Sequence, residues 1–224
     1  MTESLLQCVE IEPDAKAERS VIWLHGLGAS GNDFAPIIPM LDLSALPPVR
    51  FVLPHAPTMP VTLNGGMVMR AWFDIEQLDV NDFRVDEDGV RQAAASIEAL
   101  IQRELERGVS RDHIVLAGFS QGGAIALHHG VRQTEPLAGI LAMSTDLPMP
   151  EQAAEQHTEA SRKTPVFLAH GSHDPVVVLA RGMKTRERLT AMGYEVEWHE
   201  YAMQHEVCAE ELADLASWMC RVLS

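Results

Sequence analysis

Basic charge is scarce in this sequence. Seventeen Lys and Arg stand against 32 Asp and Glu, leaving a formal net charge of -15 at pH 7. A chain this acidic offers no basic face, which argues against binding nucleic acid or an anionic membrane electrostatically. Cysteine is scarcer still. Cys8, Cys208 and Cys220 are too few and too scattered for a disulfide framework or a zinc site, and read as reduced thiols of a cytoplasmic protein. Cys208 and Cys220 fall in a helical pattern, where packing is the expected role. No run of about eighteen apolar residues occurs, so no membrane span is expected. Met1-Thr2-Glu3-Ser4-Leu5-Leu6 has no basic segment leading into a long apolar one, so no signal peptide is expected. No repeat, low-complexity tract or linker divides the chain.

What is present is an alternation. With 224 residues, 46% of them hydrophobic and 22% charged, the chain suits one globular domain with a substantial core. Continuous apolar runs of the kind found in strands covered on both faces occur at Val21 to Leu24, Phe51 to Leu53 and Ile114 to Ala117, and Leu137 to Met143, Val166 to Ala169 and Val196 to Tyr201 continue the pattern as expected strands. Leu5 to Ile11 suits an edge strand. Asp86 to Arg107 is the clearest helix, with Val90, Ala94, Ile97, Ile101 and Leu105 along one face. Asp86, Glu87 and Asp88 suit its positive end, Arg103 and Arg107 its negative end, and Gly108 the left-handed position beyond it. Further helices are expected near Glu151 to Ser161, Val177 to Met192 and Val207 to Val222. A doubly wound α/β domain is the simplest solution. Ala56 to Trp72 breaks the alternation, with Pro57, Pro60, Asn64-Gly65-Gly66 and three methionines. Two interpretations stand for such a stretch: a lid or acyl-contacting loop, or ordinary packing under a long loop.

Gly118-Phe119-Ser120-Gln121-Gly122-Gly123 directly follows the Ile114 run and leads into Ala124-Ile125-Ala126-Leu127. A strand that turns into a helix at Gly-x-Ser-x-Gly lifts the serine hydroxyl above the sheet, the nucleophile elbow of α/β-hydrolases. The three fixed residues alone recur by chance in roughly one chain of this size in fifteen, so the partners decide. Serine needs an adjacent base. Of ten histidines, His205 differs in following a strand end, just before the last helix, on the edge that the elbow shares. Asp174, after the Val166 strand, is the favoured acid, with Asp146 after the preceding strand its main competitor. Ser120, Asp174 and His205 keep the chain order of α/β-hydrolases. An oxyanion would be held by the backbone N–H of Gln121 and by one from His25-Gly26-Leu27-Gly28, that of Leu27.

Taken together, these segments resemble the bacterial carboxylesterases related to acyl-protein thioesterases and lysophospholipases. The resemblance also draws on Pro54-His55-Ala56-Pro57, Pro60-Val61-Thr62-Leu63-Asn64-Gly65-Gly66 and Trp72-Phe73-Asp74-Ile75, and covers almost the whole chain. It implies an α/β-hydrolase fold in a single domain, with a mostly parallel central sheet flanked by helices. It further implies the same triad and oxyanion donors, no metal or organic cofactor, and a lid-like region over residues 54 to 75. Leu27, Trp72 and Ile75 would then lie near the substrate. Family members are often homodimers. Many carry aspartate where this chain has Ala29, which leaves the anchoring of that loop open.

The leading expectation is a cytoplasmic serine esterase acting on a small-molecule carboxylic ester of short or medium acyl chain. Thioesterase action on acylated proteins, or lysophospholipase action, is the alternative, because one acyl-enzyme route serves all three. A non-catalytic, hydrolase-like receptor is the remaining class, and an intact-looking triad argues against it.

Overall fold

The computed structural model describes residues 5–78 and 83–224. The N-terminal expectation rests on Met1 to Leu6, of which Met1 to Ser4 lie outside the described residues. Seven strands form the main sheet: β1 (Cys8–Ile11), β2 (Arg19–Leu24), β3 (Val49–Pro54), β8 (Ile114–Phe119), β9 (Gly139–Met143), β10 (Val166–Gly171) and β11 (Val196–Tyr201), in the order β1-β3-β2-β8-β9-β10-β11. Only β1 runs antiparallel to its neighbour; the other pairings are parallel. Two hairpins lie outside the sheet, β4 (Thr58–Val61) with β5 (Met67–Arg70) and β6 (Ile75–Leu78) with β7 (Phe83–Val85).

The continuous apolar runs are explained by helices on both faces. Ile22, Val52, Leu116, Ile140 and Leu168 point into one core with α2 (Glu87–Glu106), α3 (Gln121–Gly130), α4 (Pro150–Gln156) and α5 (Leu179–Ala191). Val21, Phe51, Val115, Leu141 and Phe167 point into the other, with the one-turn α1 (Gly31–Phe34) and α6 (Ala209–Val222). Successive side chains of a strand face opposite ways, so both sets must be apolar. The fold is an α/β-hydrolase fold in one domain, as the sequence implies.

α2 follows its sequence signals closely. Asp86 caps it by accepting from the Asp88 amide at 3.1 Å, and Gly108 takes φ 94° past its end. Arg103 and Arg107 complement the helix terminus and also pair with Glu10 and Glu12 of the β1 edge, at 2.8 and 2.5 Å.

Three expectations are corrected. The stretch from Ala56 to Trp72 is a β4–β5 hairpin, turned through Gly65 and Gly66 at positive φ, rather than an irregular loop. The helix expected to reach Ser161 stops at Gln156 because Thr158 and Ser161 bond each other's backbone, Ser161 N to Thr158 Oγ1 at 2.9 Å, and compete with helix continuation. The α5 helix starts at Leu179 and not at Val177, since Val178 is extended, with φ -59° and ψ 144°, and breaks the helical path before it. α1 and the 3-10 turn Ala35–Met40 fill a stretch that hydrophobic periodicity left blank. The signal there was the capping box Ser30-x-x-Asp33, both halves of which form.

The cysteines are unpaired and partly buried. Burial pushes the Cys8 thiol up to about 11, which keeps it protonated. Cys208 caps α6, its sulfur 3.5 Å from the Glu211 amide. Glu211 itself is fully buried, and its carboxyl oxygens have no hydrogen-bond partner among the described residues. Burial raises its pKa to about 8. The folded chain therefore holds a proton that the unfolded chain releases in the ordinary carboxylate range. Stability from this group is intact at low pH and declines as pH rises toward 8, a cost of about 3 kcal/mol at pH 7. Glu211→Gln should raise the urea-unfolding free energy by about 3–4 kcal/mol near pH 7.5 and by less than about 1 near pH 5. Equal changes at both pH values would contradict this origin.

Candidate active site

Ser120 is the single residue between β8 and α3. Its backbone adopts φ 53°, ψ -121°, a conformation costly for a residue with a side chain. Neighbouring strands hold it there. Its amide donates to Met143 O at 2.8 Å, and its carbonyl accepts from Ala124 N at 3.0 Å and Thr145 Oγ1 at 2.7 Å. The glycines two residues either side allow the close crossing. A Cβ on Gly118 would collide with the Gly122–Gly123 backbone, and one on Gly122 with the Leu24 and His25 carbonyls.

Because β2, β8, β9, β10 and β11 are parallel, the loops after them share one edge of the sheet. His205, from the loop after β11, lies with Nε2 2.9 Å from Ser120 Oγ and Nδ1 2.7 Å from Asp174 Oδ2. Asp174 Oδ1 accepts from Val176 N at 2.8 Å and Val177 N at 2.9 Å. Burial alone would raise the Asp174 carboxyl. Hydrogen bonding and charge from His205, with the two amides, outweigh it and hold the group below the usual carboxylate range.

The competing acid, Asp146, is engaged elsewhere. It pairs with Arg181 and accepts from Thr185 Oγ1 at 2.7 Å. Several other histidines bond elsewhere: His129 meets Glu98 at 3.0 Å, and His199 meets Glu197 at 3.0 Å. Buried His25 bonds Gly26 O at 2.7 Å through Nδ1 and accepts the Ala56 amide at Nε2, 3.0 Å. Burial lowers its pKa, which suits a neutral ring with the proton on Nδ1.

Ser120 and His205 open onto a cavity of about 480 Å³. Leu27 and Gln121, expected as oxyanion donors, line it beside Ser120, as does Ile75. Its remaining wall is mostly apolar, with Phe34, Ile37, Leu63, Phe119, Val176, Val177 and Val207. Phe34 and Ile37 escaped the sequence reading because they belong to α1 and the turn after it. Despite Ala29, the Leu27 loop is anchored, since Gly28 N donates to Arg70 O of β5 at 2.8 Å.

Trp72, expected near the substrate, does not line the cavity. It is buried behind the site, with its amide donating to Gln121 Oε1 at 2.8 Å and its indole N–H to His25 O at 2.8 Å. Gln121 Nε2 completes the tie by donating to Phe73 O at 2.7 Å. A buried indole needs a partner for its N–H, and the carbonyl that supplies it opens the Leu27 loop. Trp72 thus joins the oxyanion-side loop to the start of α3.

Comparison with known proteins agrees with this architecture. Residues 6–222 match the phospholipase/carboxylesterase family. The chain belongs to that family. It is 38% identical to acyl-protein thioesterase 1 of Cryptococcus neoformans over 97% of this chain and 98% of that protein. It is 40% identical to acyl-protein thioesterase 1 of Neurospora crassa over 88% of this chain and 84% of that one. The crystal structure of Arabidopsis thaliana SOBER1 superposes with a TM-score of 0.88 at 32% identity, covering 93% of this chain and all of SOBER1. These relatives are eukaryotic, so they lend no support to the bacterial part of the resemblance.

Trp72→Phe should leave acyl-chain preference unchanged and lower stability by about 1–2 kcal/mol through the lost indole hydrogen bond. Denaturant unfolding with an ester chain-length series checks both. A changed preference in a variant of unaltered stability would return Trp72 to the substrate wall.

Proposed function

We propose that this family member is a serine acyl hydrolase of the acyl-protein thioesterase kind, with carboxylic esters as further substrates of the same site. The carrying observation is the continuous Asp174–His205–Ser120 hydrogen-bonded line opening on an apolar cavity. Preference for a thioester over the short-chain ester favoured by sequence is supported by the curated relatives, which bear the name acyl-protein thioesterase 1. The family description, phospholipase/carboxylesterase, supports ester hydrolysis as the second activity.

In this mechanism Ser120 Oγ attacks the acyl carbonyl while His205 Nε2 takes its proton. Ionised Asp174 orients the ring through Nδ1 and stabilises the imidazolium. The Leu27 and Gln121 amides donate to the oxyanion, each such donor being worth ~3 kcal/mol in the transition state. As the tetrahedral intermediate collapses, the C–S or C–O bond breaks and His205 gives its proton to the leaving sulfur or oxygen. Water, deprotonated by His205, then attacks the acyl-enzyme, releasing the acid and restoring Ser120. Leu63, Ile75 and Val176 supply apolar surface for the chain. The unpaired thiols fit a reducing, cytoplasmic setting.

Ser120→Ala and His205→Ala should each lower kcat/KM on an activated aryl ester by at least about 10³-fold, with the unfolding curve unchanged. Wild-type-like turnover in either variant would sink the mechanism. Failure of a fluorophosphonate to label Ser120 in folded protein would revive a non-catalytic receptor. Matched rates on a palmitoylated peptide thioester, a lysophospholipid and a butyrate ester should favour the thioester. A butyrate preference would reinstate the short-chain esterase.

A further inference from the structure

A second imidazole stands behind Asp174. His170, near the end of β10, is fully buried, with Nε2 2.6 Å from Val177 O and 3.7 Å from Asp174 Oδ2. A carbonyl only accepts, so the short contact places the ring proton on Nε2. The longer distance is beyond hydrogen-bond range, which leaves the short bond of Asp174 Oδ2 to His205. Val177 is consequently gripped at both polar backbone atoms. Its N–H donates to Asp174 Oδ1 and its C=O accepts from His170.

We propose that His170 is a positioning residue for the hydrolysis: by holding the Val177 carbonyl it fixes the turn that aims Asp174 at His205. The proposal rests on the triad assigned above. The surroundings keep the ring neutral, so that it does not compete for the Asp174 charge. Nδ1 is buried without a partner among the described residues, and α5 passes so close that a Cβ on Gly182 would strike the ring. A proton on Nδ1 would be a buried donor with nothing to meet. Burial accordingly holds His170 below the ordinary histidine range, outweighing the bond to Val177 O and the attraction of nearby carboxylates, both of which favour the charged ring. The charged or titratable groups around it are Asp174, His205 from the loop after β11, and Asp146 after β9, which is paired with Arg181 of α5. Trp198 of β11 stacks beside the ring, 6.3 Å between centroids.

The test compares pH profiles of ester hydrolysis for His170→Phe, which fills the space without a donor, and His170→Gln, which keeps an N–H near Nε2. Phe should lower kcat about tenfold with KM within about twofold, as expected of a slightly misplaced catalytic group. It should also move the acid limb of kcat/KM to lower pH by roughly half a unit, because a looser Asp174 stabilises the imidazolium less. Gln should restore both. A purely structural role would lower stability without moving the acid limb. A folded Phe variant with wild-type kcat and acid limb would overturn the proposal, as would a Gln variant as impaired as Phe. Nitrogen-15 NMR of histidine-labelled wild-type protein gives a check independent of variants. At neutral pH His170 should be neutral with its proton on Nε2, and a proton on Nδ1 there would refute the proposal. Ser120→Ala measured alongside separates the two levels. Activity retained in that variant overturns the triad itself, whereas activity lost there but wild-type in Phe overturns the positioning role alone.

Discussion

The reversal of the chain at Ser120, from strand to helix across one residue, is the constraint on which the rest of the site depends. A residue with a side chain resists φ 53°, and only surrounding structure can impose it. Here β9 supplies the Met143 carbonyl and the turn after it supplies the Thr145 hydroxyl. The helix that follows can approach β2 because Gly122 has no side chain to meet the Leu24 carbonyl. Strain at Ser120 is thus balanced by β9, the turn after it and the close approach to β2.

Asp174 shows how the neighbouring loops are organised around that point. Its two oxygens are divided, one to the backbone of its own turn and one to His205. The backbone bonds make the carboxylate rigid; the side-chain bond passes that rigidity to the imidazole. On the other side, Trp72, Gln121 and His25 tie the start of α3 to the Leu27 loop. Ser120, His205 and the candidate oxyanion donors therefore sit on frames that share buried polar groups. In a dry interior an unpaired member of such a frame is costly.

Much of the fold was legible because buried parallel strands write themselves as continuous apolar runs, and because α2 carries both its periodicity and its end signals. The position of Ser120 was legible from glycines with no other reason to cluster. The order Ser120, Asp174, His205 favours the aspartate that the structure brings to His205, yet sequence could not exclude Asp146, since the Arg181 and Thr185 that engage it lie on a later helix. The hairpin at Thr58–Arg70 was hidden because prolines, glycines and methionines obscure alternation over strands of four residues. α4 ends before its composition suggests, because Thr158 and Ser161 bond each other and composition does not reveal it.

By itself the sequence determined the class of fold, the place of the candidate nucleophile and the strand ends from which its candidate partners come. Those features are local: a turn that only glycine permits, apolar runs, a cap and a stop. Tertiary structure decided what each polar group meets. It placed Asp174 and not Asp146 against His205, and buried Trp72 behind the cavity instead of in its wall. It also brought Phe34 and Ile37 to the cavity wall and set His170 behind the acid. These outcomes turn on which side chains converge from residues far apart in the chain, and spacing along one strand or helix carries no record of that.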